Sequence, residues 1–184
     1  MRELTARTLR RGPVLGLWLL LAASLALSQH ASNDANSASS ILDRVAEFHG
    51  APGPFAVAGY RIGERALREL NLSRGSFAVE VIHRTPFEVQ WSCIADGLQA
   101  ATGVSAGKLN LRLVETTQDQ LETIVRNRKT GEELVFRLQP SFLKKVLNLP
   151  SEQLNSAGAK VLSLREEEVF SMRLQPTSPG AGDK

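Results

Sequence analysis

Residues 91–111 constrain the fold more than any other part of the sequence. They contain the only cysteine of the chain, Cys93, followed by Gly103 in a position typical of the end of a helix. Leucines alternate with other residues immediately after Lys108. The stretch therefore predicts a helix over residues 91–102, a glycine-containing turn and then a strand.

The first 28 residues have the composition of a secretory signal peptide. Arg10 and Arg11 form a basic region, residues 14–27 are apolar, and small residues surround a cleavage position after Ser28. The apolar run is shorter than the roughly 20 residues that span a bilayer. We therefore predict export to the periplasm or the extracellular space, with no stable membrane span after cleavage. An uncleaved membrane anchor is the alternative.

Cleavage also changes the charge of the chain. The full sequence has 22 lysines and arginines and 19 aspartates and glutamates, which gives a net charge of +3. Its first 28 residues include four arginines and one glutamate, so 18 residues of each sign remain and the net charge falls to zero. A neutral chain offers no basic footprint for nucleic acid or for an acidic membrane surface.

One cysteine cannot form an internal disulfide, although export normally leads to an oxidising environment. Cys93 is therefore a buried inert thiol, a metal ligand, a reactive thiol or half of an intermolecular disulfide. The domain must be stabilised by its hydrophobic core alone. A domain of about 150 residues buries roughly 70% of the surface that its unfolded chain exposes, which is sufficient.

The sequence after the signal peptide predicts one α+β domain over residues 41–175, with an antiparallel sheet packed against helices. Residues 29–40 are small and polar and predict a disordered spacer, and residues 176–184 predict a disordered tail. Besides the elements of residues 91–111, we expect helices over residues 41–49, 54–70, 142–149 and 151–164, and strands over residues 76–83, 121–126 and 133–138.

Glycines within the helical patterns predict where surfaces lack side chains. Gly59 and Gly63 are one helical turn apart, so another backbone can approach closely there. Gly97, in the cysteine helix, is expected to keep the surface beside Asp96 and Gln99 open.

The cysteine helix carries the first candidate site. If Ser92 caps this helix, Cys93 lies in the first turn, where free N–H groups favour negative charge and lower the pKa of a thiol. Asp96 and Gln99 follow on the same broad side and form a polar edge that can line a cleft. The alternative is a buried small thiol, with Asp96 and Gln99 in solvent.

Other polar residues add to this site or serve the fold. His49 ends its helix before a Gly/Pro turn and is either structural or a ligand. A three-ligand zinc site requires a carboxylate such as Asp96, because the folded part offers one Cys and two His. Lys108 and Asn110 either bind a small anion or belong to a solvated turn, since residues 103–108 lack the spacing of a phosphate-binding loop.

Two motifs resemble the FmdE domain family of formylmethanofuran dehydrogenase. The first reads FHG, GPF and GYRIG within residues 48–63, and the second reads SCIADGLQ, TG and GK-x-N within residues 92–110. The segment RKTG at residues 128–131 fits the hairpin of that family. The resemblance implies an α+β core that forms a homodimer, with a cleft around the motif cysteine and histidine.

This resemblance also implies roles for individual residues. Cys93 and His49 correspond to metal ligands, and the implied metal is one divalent transition ion, with zinc as the first choice. Ala51 and Gly53 stand where relatives have a second histidine and a cysteine, which weakens metal binding. The remaining candidate ligand-binding residues are Tyr60, Asp96, Gln99, Lys108 and Asn110.

We therefore expect an exported module that binds a metal or a small ligand in a cleft around Cys93 and His49. The alternative is a cysteine-dependent enzyme that uses Cys93 as nucleophile and His49 as base.

Overall fold

A computed structural model describes residues 37–175 of the chain. The predicted signal peptide, most of the spacer and the tail lie outside these described residues. Residues 38–175 belong to one compact unit. No helix within the described range has the length and apolar character needed to cross a membrane.

The described elements follow the predicted order. The first helix, α1, covers residues 37–49 and so includes four residues that we predicted as the end of the spacer. The other helices are α2 (Pro54–Glu69), α3 (Val89–Thr102), α4 (Pro140–Val146), α5 (Leu154–Ser163) and α6 (Glu166–Val169). The strands are β1 (Val79–Thr85), β2 (Leu111–Glu115), β3 (Glu122–Asn127), β4 (Glu133–Leu138) and β5 (Phe170–Gln175).

The five strands form one sheet in the order β2-β1-β3-β4-β5, which confirms the α+β prediction. Three of its pairings are antiparallel, as expected, but β1 and β2 pair in parallel. The reason is the connection: α3 lies between these two strands in the sequence and returns the chain to the start of β1. A strand, a crossover helix and a neighbouring strand then run in the same direction.

Alternation along β1 divides the sheet into two faces. Val79, Val81 and His83 are fully buried and belong to the same face, and α3 packs against this strand. The intervening Glu80 and Arg84 lie on the opposite face and form ion pairs with neighbouring strands. The hydrophobic core therefore lies between the sheet and the helices.

Helices α2 and α3 are joined by direct backbone contact. A Cβ atom added at Gly59 would lie 2.1 Å from the carbonyl oxygen of Ile94, and one added at Gly97 would lie 1.8 Å from the carbonyl oxygen of Ala56. The predicted close approach at Gly59 is therefore confirmed. The prediction for Gly97 is wrong: this glycine is buried against α2 and does not keep an open surface beside Asp96.

We predict that Gly97→Ala destabilises the domain by about 3 kcal/mol or more, the upper end of the range for overpacked cores, because the obstacle is backbone rather than a flexible side chain. Gly107→Ala is the matched control, since a Cβ at Gly107 meets nothing within 4 Å. Urea unfolding of both variants measures the difference. Equal midpoints for the two would contradict the packing argument.

His83 lies on the core face of β1 with no exposed surface. Its Nε2 donates to the Trp91 carbonyl at 3.4 Å, so its Nδ1 accepts from the Thr123 hydroxyl at 2.9 Å. Both nitrogens are satisfied in the neutral ring. Burial lowers the pKa of His83 from 6.5 to about 4, because a charged imidazolium would lose its hydration in the core.

The depressed pKa of His83 predicts acid sensitivity. The unfolded chain binds a proton at His83 below its usual pKa and the folded chain does not, so this contribution is complete above pH 6.5 and is lost as the pH falls towards 4. We expect a loss of about 2 kcal/mol in the free energy of unfolding between pH 7 and pH 5. Denaturant titrations of wild type and His83→Gln measure it. An equal loss in the variant would show that other groups cause it.

Candidate functional site

The described structure brings His49 and Asp96 together although they are 47 positions apart. His49 is the last residue of α1, and Gly50 ends that helix with φ of +83°. Asp96 lies in the middle of α3. The distance between His49 Nδ1 and Asp96 Oδ2 is 2.7 Å, and Gln99 Nε2 lies 3.5 Å from Asp96 Oδ1. These three side chains form one connected polar group, which we call the His49 cluster.

The carboxylate determines which nitrogen of the ring is available. Ionised Asp96 only accepts hydrogen bonds, so Nδ1 of His49 carries the proton that it shares with Asp96. In the neutral ring Nε2 then keeps a free lone pair. His49 and Asp96 have 22% and 36% of their side-chain surfaces exposed, so a small molecule can reach the pair.

Cys93 lies one turn before Asp96 on α3, but the environment of its thiol differs from the prediction. Helix α3 starts at Val89 with Glu88 as its N-cap, so Ser92 does not cap it and Cys93 is its fifth residue. The thiol donates to the Val89 carbonyl at 2.7 Å. Burial first, and then the negative charge of Asp96, raise the pKa of the thiol. The expected lowering of this pKa is therefore wrong.

The family resemblance implies a metal, so we tested whether the side chains supply enough ligands. Zinc sites in proteins use at least three ligands from the chain. Among residues 37–175 no three His, Cys, Asp or Glu side chains come close enough together to hold a metal ion. Ala51 and Gly53 have no donor side chain. The described residues therefore do not fit a zinc site of the implied kind.

Lys108 and Asn110 contact the backbone around the turn that follows α3. Lys108 Nζ donates to the Gly103 carbonyl at 2.8 Å and lies 5.4 Å from the centre of the Phe77 ring. Asn110 has no exposed surface; its Oδ1 accepts from the Ser105 N–H at 3.0 Å. These contacts stabilise the turn, and the structure places neither residue in the His49 cluster.

Tyr60 is also separate from that cluster in its contacts. It belongs to the buried part of α2 and has 6% of its surface exposed. Burial, followed by the charge of Glu64, raises the pKa of its hydroxyl. Tyr60 therefore packs in the core.

Two pockets lie away from the His49 cluster and were not predicted. One has a volume of about 660 Å³ and is lined by polar residues that include Asp119 and Arg137. The other, about 220 Å³, lies between α4 and α5 and is mainly apolar. Neither could be recognised from the sequence, because each pocket is formed by segments distant along the chain.

Comparison with known proteins agrees with the fold. The family described as "FmdE, Molybdenum formylmethanofuran dehydrogenase operon" matches residues 48–171. A solved structure of an FmdE-like protein of tungsten formylmethanofuran dehydrogenase, from Syntrophus aciditrophicus, is 19% identical, with a TM-score of 0.53. The match covers 77% of this chain and 73% of that one, and at this identity it supports the fold alone. No curated protein matches the sequence.

We predict that Cys93 is alkylated by iodoacetamide more slowly than free cysteine at pH 7, because the thiolate is the reacting form and the protein raises the pKa of the thiol. Asp96→Asn should accelerate the reaction by removing a negative charge beside the sulfur. Asp119→Asn, in an exposed turn, is the matched control. Mass spectrometry at several pH values gives the rates; alkylation faster than that of free cysteine would contradict the assignment.

Proposed function

The chain belongs to the FmdE family, and we propose that it is an exported module that binds a small ligand at the His49 cluster. The observation that carries the proposal is the 2.7 Å contact between His49 Nδ1 and Asp96 Oδ2. A partly exposed histidine whose tautomer is held by a carboxylate is arranged to accept a hydrogen bond from a ligand.

The rest of the cluster extends this recognition. Gln99 adds an amide that both donates and accepts hydrogen bonds, and Asp96 has a second oxygen close to that amide. The ligand that fits is a small polar molecule with a hydroxyl or amine that donates to Nε2 of His49. Export agrees with the signal-peptide composition of residues 1–28.

Metal binding has less support than small-ligand binding. Cys93 and His49 are two potential donors, but the Cys93 thiol donates to a carbonyl within its own helix. A zinc thiolate requires deprotonation, which a raised pKa opposes.

The contacts of the same two residues oppose a cysteine-dependent enzyme. A nucleophilic cysteine needs a base within hydrogen-bond reach of its sulfur. The Cys93 sulfur instead contacts the Val89 carbonyl, and the His49 ring contacts Asp96.

Native mass spectrometry of the full chain, purified after export, tests the proposal. We expect a bound small molecule in wild-type protein and at least a tenfold loss of its occupancy in Asp96→Asn, because a hydrogen bond to a charged group contributes about 1.5–3 kcal/mol. Asp119→Asn should retain the ligand. Elemental analysis of the same samples measures bound metal.

Two results would overturn the proposal. The first is a wild-type protein without any bound small molecule, or one whose bound molecule survives Asp96→Asn. The second is stoichiometric zinc that is lost in Cys93→Ala, which would make the cluster a metal site.

A further inference from the structure

Strand β2 forms one edge of the sheet. Among the described residues it pairs with β1 alone. Residues 112–115 are all exposed, and Leu113 and Val114 each have 41% of their surface exposed. An exposed edge with apolar side chains is a surface to which another extended chain can add.

The hydrogen bonds at the two ends of β2 determine which of its backbone groups point outward. The Asn110 carbonyl accepts from the Val81 N–H, and the Thr116 N–H donates to the Thr85 carbonyl. Alternate residues of a parallel ladder bond to the same neighbour, so the even-numbered residues of β2 bond to β1. The N–H and C=O groups of residues 111, 113 and 115 therefore point away from the sheet.

Beside this edge, the sheet face opposite the core presents guanidinium groups. Glu80 has 8% of its surface exposed and lies within 4 Å of three arginines, Arg112, Arg126 and Arg128. Arg112 lies on β2 and is the most exposed of them, at 59% of its side chain. Its distance of 3.7 Å from Glu80 is also the longest of the three.

The same arrangement recurs further along the strands. Glu122 has 8% of its surface exposed and lies between Arg84 and Arg137, at 3.4 and 2.8 Å. These two arginines have 50% and 54% of their side chains exposed. Because the carboxylates are buried and the arginines are not, this face presents positive charge although the chain without residues 1–28 is neutral.

We propose that β2 binds an extended acidic peptide segment of another protein as an added strand. Side chains of a strand alternate between the faces of a sheet, so every second residue of the peptide lies beside Arg112 and the others lie beside Leu113. Acidic residues suit the first set and apolar residues suit the second. The outward backbone groups at residues 111, 113 and 115 supply the hydrogen bonds.

A second copy of this chain is a poorer occupant of the same edge. In an antiparallel pair of β2 strands, residues that are directly opposite share a face, so Arg112 meets Val114 or another Arg112. The only carboxylate of β2, Glu115, lies on the other face. Charge complementarity therefore favours an acidic peptide.

Fluorescence anisotropy with a labelled peptide of alternating glutamate and valine tests the proposal on the full chain. Arg112→Glu should weaken binding about tenfold, a loss typical of a charge-assisted contact. Leu113→Pro removes an outward N–H and leaves the bonds to β1 in place, so it should abolish binding while circular dichroism remains native. Arg173→Glu, on the same face at the opposite edge of the sheet, is the control and should bind normally.

The proposal is supported if the glutamate peptide binds, a lysine–valine peptide does not, and high salt weakens the complex. It is overturned if both peptides bind equally or neither binds. It is also overturned if sedimentation shows a wild-type dimer that becomes monomeric in Leu113→Pro, because the edge then belongs to a second copy.

Discussion

The backbone contact between α2 and α3 is the constraint on which the rest of the structure depends. Gly59 and Gly97 let each helix touch a carbonyl group of the other, and no side chain separates them. This contact positions Asp96, because α3 cannot move away from α2 without losing its packing. A third glycine, Gly158 of α5, lies against the backbone of Pro52 in the loop that follows His49. Both ends of the His49–Asp96 hydrogen bond are thus held by glycine contacts.

Polar side chains within the core show a second constraint, the complete use of buried donors and acceptors. Asn110 bonds to the Ser105 N–H and to the Val79 carbonyl, so it connects the turn after α3 to the first residue of β1. His83 uses both ring nitrogens in the same way. Residues with chemically versatile side chains therefore serve the fold here, since each hydrogen bond they make satisfies a buried partner.

Local patterns were sufficient to predict most elements of the fold. The helix and strand bounds follow from periodicity, and the end of α3 at Gly103 follows from the left-handed backbone that glycine adopts, with φ of +73°. The close approach at Gly59 was visible in the glycine spacing. The pairing of His49 with Asp96 depended on the motif resemblance, because no local pattern brings α1 and α3 together.

The errors have a common cause, which is that they concern contacts between distant segments. Ser92 is a good capping residue, but the chain leaves β1 at Pro86 and enters the helix earlier, at Val89. Gly97 was expected in the open, but α2 covers it. The pKa of Cys93 depends on burial and on the charge of Asp96, neither of which the spacing of residues reveals.

Helix α3 separates two tasks on one element. Ile94, Gly97 and Leu98 are buried and hold the helix in place, whereas Asp96 and Gln99 are partly exposed. Substitutions on the exposed side leave the packing of the helix intact. Evolution can therefore exchange the ligand preference of such a domain one residue at a time while its folding stays protected, and the losses at the positions of Ala51 and Gly53 illustrate how a family can keep a scaffold and change its use.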